Sequence, residues 1–162
     1  MIPSLHATFV NRDVVVHFVE MKNLIFTIIL IGFTTILGAQ ENIDKEEMVG
    51  FACYYEGSAS KTVKKVTRKL KNRNYSSISK LLKSENNAEK YMAVITLEEL
   101  AKRNKYKLDP KEKLLIEKIK NSDELVSVCS GCLFFQKMKL KDMFVPEFED
   151  FALNWKNQFF KN

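Results

Sequence analysis

Hydrophobic and polar positions along the chain change rhythm several times, and each change marks an element. From Leu24 to Leu37 the run is apolar but for Thr27, Gly32, Thr34 and Thr35, and it closes on Gly38-Ala39-Gln40. Gln40 to Glu47 is a polar lead-in. Met48 to Tyr55 is apolar again, too short for periodicity to separate helix from strand, yet bound to be buried in either form. After the break at Glu56-Gly57-Ser58, Val63, Val66 and Leu70 recur three and four apart, which predicts an amphipathic helix over Ser60 to Arg73. Tyr75 to Lys83 predicts a second, short helix with Tyr75, Ile78, Leu81 and Leu82 on its apolar side. Ser84-Glu85-Asn86-Asn87 reads as a turn, and Ala88 to Arg103 as the strongest helix of all. Ala93, Val94, Leu97, Leu100 and Ala101 stripe one side of it while Tyr91, Met92 and Ile95 occupy the other, so it should lie between neighbours at the centre of the core.

The remaining elements announce themselves by their first residues. Asp109 as N-cap, Pro110 at the first helical position and Glu112 three residues after the cap open a helix that should turn Leu114, Leu115 and Ile119 inward with Ile116 flanking, and that ends at Asn121-Ser122-Asp123. Leu125 to Leu140 shifts to a strand rhythm. It reads as a β-hairpin turning at Ser130-Gly131, which would set Val128 beside Leu133, Val126 beside Phe135 and Glu124 beside Lys137. Pro146 opens a last helix with Glu147, Glu149 and Asp150 near the positive end of its dipole. Phe148, Phe151, Ala152, Trp155 and Phe159 form its stripe, with Phe160 off it; such a stripe is a core face or, alternatively, a docking face for a membrane surface or a partner groove. The fold class expected is mainly α: a small helical domain of about five helices with one β-hairpin near residues 124–140.

The stretch Ile78-Ser-Lys-Leu-Leu-Lys-Ser-Glu-Asn-Asn-Ala-Glu-Lys-Tyr-Met-Ala-Val-Ile-Thr-Leu-Glu-Glu-Leu100 resembles one HEAT-type helical hairpin, with a short first helix, a polar turn, and a second helix carrying an internal alanine and closing leucines. The resemblance covers residues 75–103. Repeats of this kind need stacked neighbours, and the chain has room for only two or three, so the resemblance implies a small helical scaffold that binds another protein. It carries over no functional residue.

Lys22, the apolar run and Gly38-Ala39 supply the basic, hydrophobic and small-residue parts of a secretory signal in order. The run is short for a membrane-spanning helix, which needs about 20 predominantly apolar residues. Cleavage after Ala39 is therefore expected, with a retained signal-anchor as the alternative. Gln40 stands where a lipoprotein signal needs cysteine. Met1 to Glu20 is a poor n-region because it carries Asp13 and Glu20, so translation is expected to start at Met21, against a genuine short tail ahead of an anchor. Removing residues 1–39 from the 162 leaves 123, enough for one domain with a single core, and the expected location is secreted or periplasmic. In signal and length the chain resembles secreted bacterial proteins, which adds a location and no activity.

The loss of that segment also removes His6 and His17, the two histidines of the chain. A histidine-free product excludes histidine-activated serine or cysteine nucleophiles, histidine acid-base chemistry and histidine-containing zinc sites. The acidic pairs Glu46/Glu47 and Glu98/Glu99 are sequence neighbours whose side chains diverge on a helix, so they read as solvated charges rather than a catalytic dyad. No enzymatic activity, metal or cofactor is expected.

Charge is more informative. The mature chain keeps 24 basic and 18 acidic residues, and between Ser58 and Ser84 there are nine bases and no acid. Lys61, Lys64, Lys65, Arg68, Lys69, Lys71 and Arg73 are the anion-binding candidates: a surface for a protein or an anionic envelope polymer, or else an ordinary solvated helix face. The helix itself lacks the aromatic residues that stack on single-stranded bases, so no specific nucleic-acid partner is expected, and membrane contact only during export. Lys102 to Lys120 continues the basic character with eight bases and three acids.

Three thiols remain, Cys53, Cys129 and Cys132. In an oxidising compartment they should pair, either Cys129 with Cys132 across the turn or Cys53 with one of them. The spacing of Cys129 and Cys132 also permits a redox-active pair, the alternative function being a thiol-disulfide protein. A zinc site would be one ligand short.

Overall fold

Four side-chain caps set where helices begin. The structure, a computed structural model, describes residues 43–160; the apolar run read as a leader, the cleavage expected after Ala39 and the first twenty residues lie outside them. Ser60 Oγ accepts from the Val63 amide to start α1 (Lys61–Lys71), Asn74 Oδ1 from Ser77 to start α2 (Tyr75–Ser79), Asn86 from Glu89 to start α3 (Asn87–Lys102), and Asp109 from Glu112 to start α4 (Pro110–Lys120). Each satisfies an amide that the first turn leaves unpaired. The ends are set as locally. Arg73 and Asn104 adopt left-handed φ values of 53° and 56°, and the paired bonds Arg73 N to Leu70 O with Asn74 N to Lys69 O close α1, as the equivalent pair at Asn104 and Lys105 closes α3. A 3₁₀ segment, Lys80–Lys83, continues α2, so the predicted helix Tyr75 to Lys83 is one rod wound in two pitches.

The molecule is mainly α with a small sheet. α3 is its centre: residues 91–97 are all buried, consistent with the two-sided apolar pattern. Thr96 survives there because its hydroxyl donates to the Met92 carbonyl one turn back, at 2.6 Å. Val63, Val66 and Leu70 of α1 and Ile78, Leu81 and Leu82 of the α2 rod pack on it.

On α4 the inward face differs from the one expected. Leu114 is 73% exposed, while Ile116 and Ile119 are buried together with Glu112. The cause is Glu112 itself. Its carboxylate closes the capping box by accepting from the Asp109 amide at 2.9 Å, and it also accepts from the Tyr106 hydroxyl at 2.6 Å and from Ser79. A glutamate held by three donors takes a core-facing position that an apolar count leaves empty, and the stripe rotates to include Ile116.

The hairpin is present but its register is not the expected one. β1 (Met48–Val49) runs parallel to β2 (Leu125–Ser130), which pairs antiparallel with β3 (Phe134–Lys139) in the order β1-β2-β3. Val126 faces Met138 and Val128 faces Gln136, not Phe135 and Leu133, and Glu124 pairs with Lys90 at 2.7 Å rather than lying beside Lys137. The loop holds three residues, 131–133, because Gly131, at φ +61°, is taken by another segment: its amide donates to Ala52 O at 2.8 Å and its carbonyl accepts from Tyr54 N at 3.0 Å. Residues 126–129 are buried, so β2 has no solvated face whose alternation could fix the register locally.

A disulfide joins Cys53 to Cys129, with the Cα atoms 5.6 Å apart, and leaves Cys132 exposed on the loop. Gly50 makes room for it. A Cβ there would lie 2.0 Å from the Cys53 sulfur and 2.1 Å from that of Cys129, so no larger residue fits beside the bridge.

The last helix begins as 3₁₀. After Leu140–Phe144, a second 3₁₀ segment, Pro146–Ala152, precedes α5 (Leu153–Phe160). Three residues per turn instead of 3.6 advance the phase, which brings Phe160 to 2% exposure and leaves Phe159 half-buried, the reverse of the predicted stripe. Trp155 and Ala152 are buried as expected, and the aromatic face packs on the core. Among the described residues no helix is long and apolar enough to cross a membrane.

Candidate functional site

Six of the seven basic candidates lie on α1 and divide into two sets by what they meet. One set, Lys61, Lys65 and Lys69, is turned towards carboxylates. Lys61 pairs with Glu46, and Lys65 pairs with Glu89. Burial works to raise the Glu89 pKa, but the Lys65 ammonium, the Ser84 hydroxyl bonded at 2.7 Å and the nearby Lys69 charge outweigh it and hold the carboxyl below its ordinary value. Lys61 and Lys65 are thus paired within the chain, the Lys61 pair at the exposed surface.

The other set, Lys64, Arg68 and Lys71 with Thr67 between them, faces a groove of about 740 Å³. Among the described residues neither Lys64 nor Arg68 meets a carboxylate, and the Lys71 ammonium lies 5.5 Å from the centroid of the Phe159 ring. Arg73 stands beyond the helix end, exposed. At about 100° per residue Lys65 and Lys69 lie on one side of the Val63, Val66 and Leu70 stripe and Lys64 and Lys71 on the other, while Lys61 and Arg68, seven residues apart, share the outward face and are separated by their partners, Lys61 being paired with Glu46 and Arg68 lining the groove.

Across the groove stand residues that the charge pattern did not single out. Phe151, Trp155 and Phe159 of the C-terminal segment line its floor and far wall with Phe51, whose ring centroid is 5.2 Å from that of Phe151 and 5.8 Å from that of Trp155. The Trp155 indole N–H donates to the Thr67 hydroxyl at 2.8 Å, which fixes α5 against α1 and leaves no unpaired donor on the floor. Asp150, Asn154 and Gln158, all exposed, add polar groups to the lining. The basic helix has no aromatic residues of its own; α5 supplies them, and only tertiary packing reveals this. Spacing offered one signal, the repeat of four in 150, 154 and 158 beside 151, 155 and 159. Residues 102–120, the second basic stretch, line no part of the groove.

The disulfide reaches the same place, since Cys129 and Ser130 also line the groove. Of the pairings the spacing allowed, the structure contains Cys53 with Cys129. Glu46, Glu98 and Glu99 each pair with a base, Lys61, Lys120 and Arg103 in turn, and Glu47 accepts from the Asn87 amide. No group of three or more metal-ligating side chains occurs among the described residues. No family model matches the chain, and neither a curated protein nor a solved structure does.

Proposed function

We propose that this is an exported, non-enzymatic interaction protein that holds an anionic partner, a polymer of the envelope or an acidic face of another protein, along Lys64, Arg68 and Lys71. One observation carries the reading: the basic helix neutralises one set of its bases within the chain and presents the other, unneutralised, to an aromatic-floored groove. A merely solvated helix face has no reason to be asymmetric in this way. The helical hairpin over residues 75–103, which resembles a HEAT unit, serves in this reading as the support on which α1 lies. The disulfide and the leader together favour a compartment outside the reducing cytosol.

Two pairs of substitutions with the same net charge test the site. Lys64→Gln with Arg68→Gln should move elution from an immobilised anionic polymer such as heparin to markedly lower salt, and Lys61→Gln with Lys69→Gln should leave it close to that of the parent. Equal shifts for the two pairs would mean that bulk charge alone is being read. Export is tested separately by N-terminal sequencing and intact mass of the native product, which should begin at Gln40 with a single free thiol, Cys132; a product retaining residues 1–39 contradicts it.

A further inference from the structure

We infer that the ligand of the groove is an acidic oligosaccharide; this deepens the anion-binding reading and rests on it. Three sets of residues line the groove. The first is cationic: Lys64 to Lys71 spans seven residues, about 10 Å of helix at 1.5 Å per residue, which suits charges repeated along a chain rather than one compact anion. The second is aromatic, with Phe151 and Phe159 half-buried and Trp155 beneath them. Partly exposed rings of this kind present flat apolar surfaces against which the C–H faces of pyranose rings pack. The third is the exposed set Asp150, Asn154 and Gln158, which offers two amides and a carboxylate. Amides both donate and accept, and a carboxylate accepts only, so the set is matched to hydroxyl groups.

Other polyanions fit this combination less well. A peptide that adds as a strand would need a free strand edge, but Cys129 and Ser130, the strand residues that reach the groove, already pair with Phe135 and Phe134 of β3; a peptide held by its charges alone makes no use of Asn154 and Gln158, and hexaglutamate tests it. A single-stranded nucleic acid would have to stack its bases on Phe151 and Phe159, because Trp155, the largest ring, is 6% exposed with its N–H committed to Thr67. Asp150 opposes phosphate, peptide carboxylate and uronate carboxylate alike. Against a sugar hydroxyl it is an acceptor.

Trp155 is the one tryptophan of the chain and forms the floor, so its emission reports occupancy directly. The full chain would be titrated with galacturonate, hyaluronan and heparin hexasaccharides, the neutral methyl ester of the galacturonate hexamer, hexaglutamate and hexathymidylate. At least one acidic hexasaccharide should change the emission and bind more tightly than hexaglutamate or hexathymidylate, and the neutral ester should not compete with it. Asn154→Ala with Gln158→Ala, both at exposed positions, should weaken that hexasaccharide about tenfold, the loss expected for two modest hydrogen bonds, and leave hexaglutamate unchanged. If hexaglutamate or hexathymidylate binds as tightly, through Lys64 and Arg68 but indifferent to Asn154 and Gln158, the saccharide inference falls and the anion reading stands. Equal binding of the neutral ester also overturns it. If none of the six changes the emission or is retained, both readings fall together.

Discussion

Replacing Cys53 with alanine lowers the free energy of unfolding by about 4 kcal/mol, the chain-entropy value for a cross-link closing a loop of this size. The bridge spans 76 residues of sequence and ties the segment before α1 to β2, so nearly the whole helical body lies inside the loop it closes. Since small domains are stable by about 5–15 kcal/mol, the variant should sit near the edge of folding. Gly50→Ala should reproduce much of this loss without touching a thiol, because its Cβ would fall 2.0 and 2.1 Å from the two sulfurs and force either the bridge or the β1 backbone to move. Urea unfolding with and without reductant is the check: reductant should destabilise the parent and leave Cys53→Ala unchanged. A variant as stable as the oxidised parent would mean that the bridge contributes nothing.

Trp155→Ala is the second large effect, at about 4 kcal/mol. The indole is 6% exposed, meets Phe51, Phe159 and Phe160 at centroid distances of 5.8, 5.6 and 6.1 Å, and donates to Thr67. Removing it opens a cavity between α1 and α5 and leaves the groove without a floor. Trp155→Phe keeps part of the volume and loses the N–H, so it should cost clearly less, and Thr67→Val less again, about 1 kcal/mol for one hydrogen bond between neutral groups. Thermal or urea unfolding of the three variants gives the order. If Trp155→Ala proved as mild as Thr67→Val, the C-terminal segment would not be anchored as described.

Local chemistry was readable where it is self-contained. Asp109, Pro110 and Glu112 carry their own start signal, and the stripe Val63, Val66, Leu70 buries as its spacing requires. What could not be read depended on distant residues. Nothing local to Glu112 tells that Ser79 and Tyr106 will hold it inward and expel Leu114. Nothing local to Ser130-Gly131 tells that Ala52 and Tyr54 will claim the glycine and lengthen the loop to three residues. The site shows the same limit. The basic run was visible, but its division into a neutralised and an open set needed Glu46 and Glu89 on one side and the phase change from 3₁₀ to α-helix at Leu153 on the other.

Covalent labelling of lysine amines, with and without a saturating anionic polymer and read by mass spectrometry, tests the asymmetry of α1 most directly. Lys64 and Lys71 should become protected when the polymer is bound, with Lys61, Lys65 and Lys69 labelled as before. Protection confined to Lys61, Lys65 and Lys69, or spread evenly over all five, would contradict the groove as the binding site.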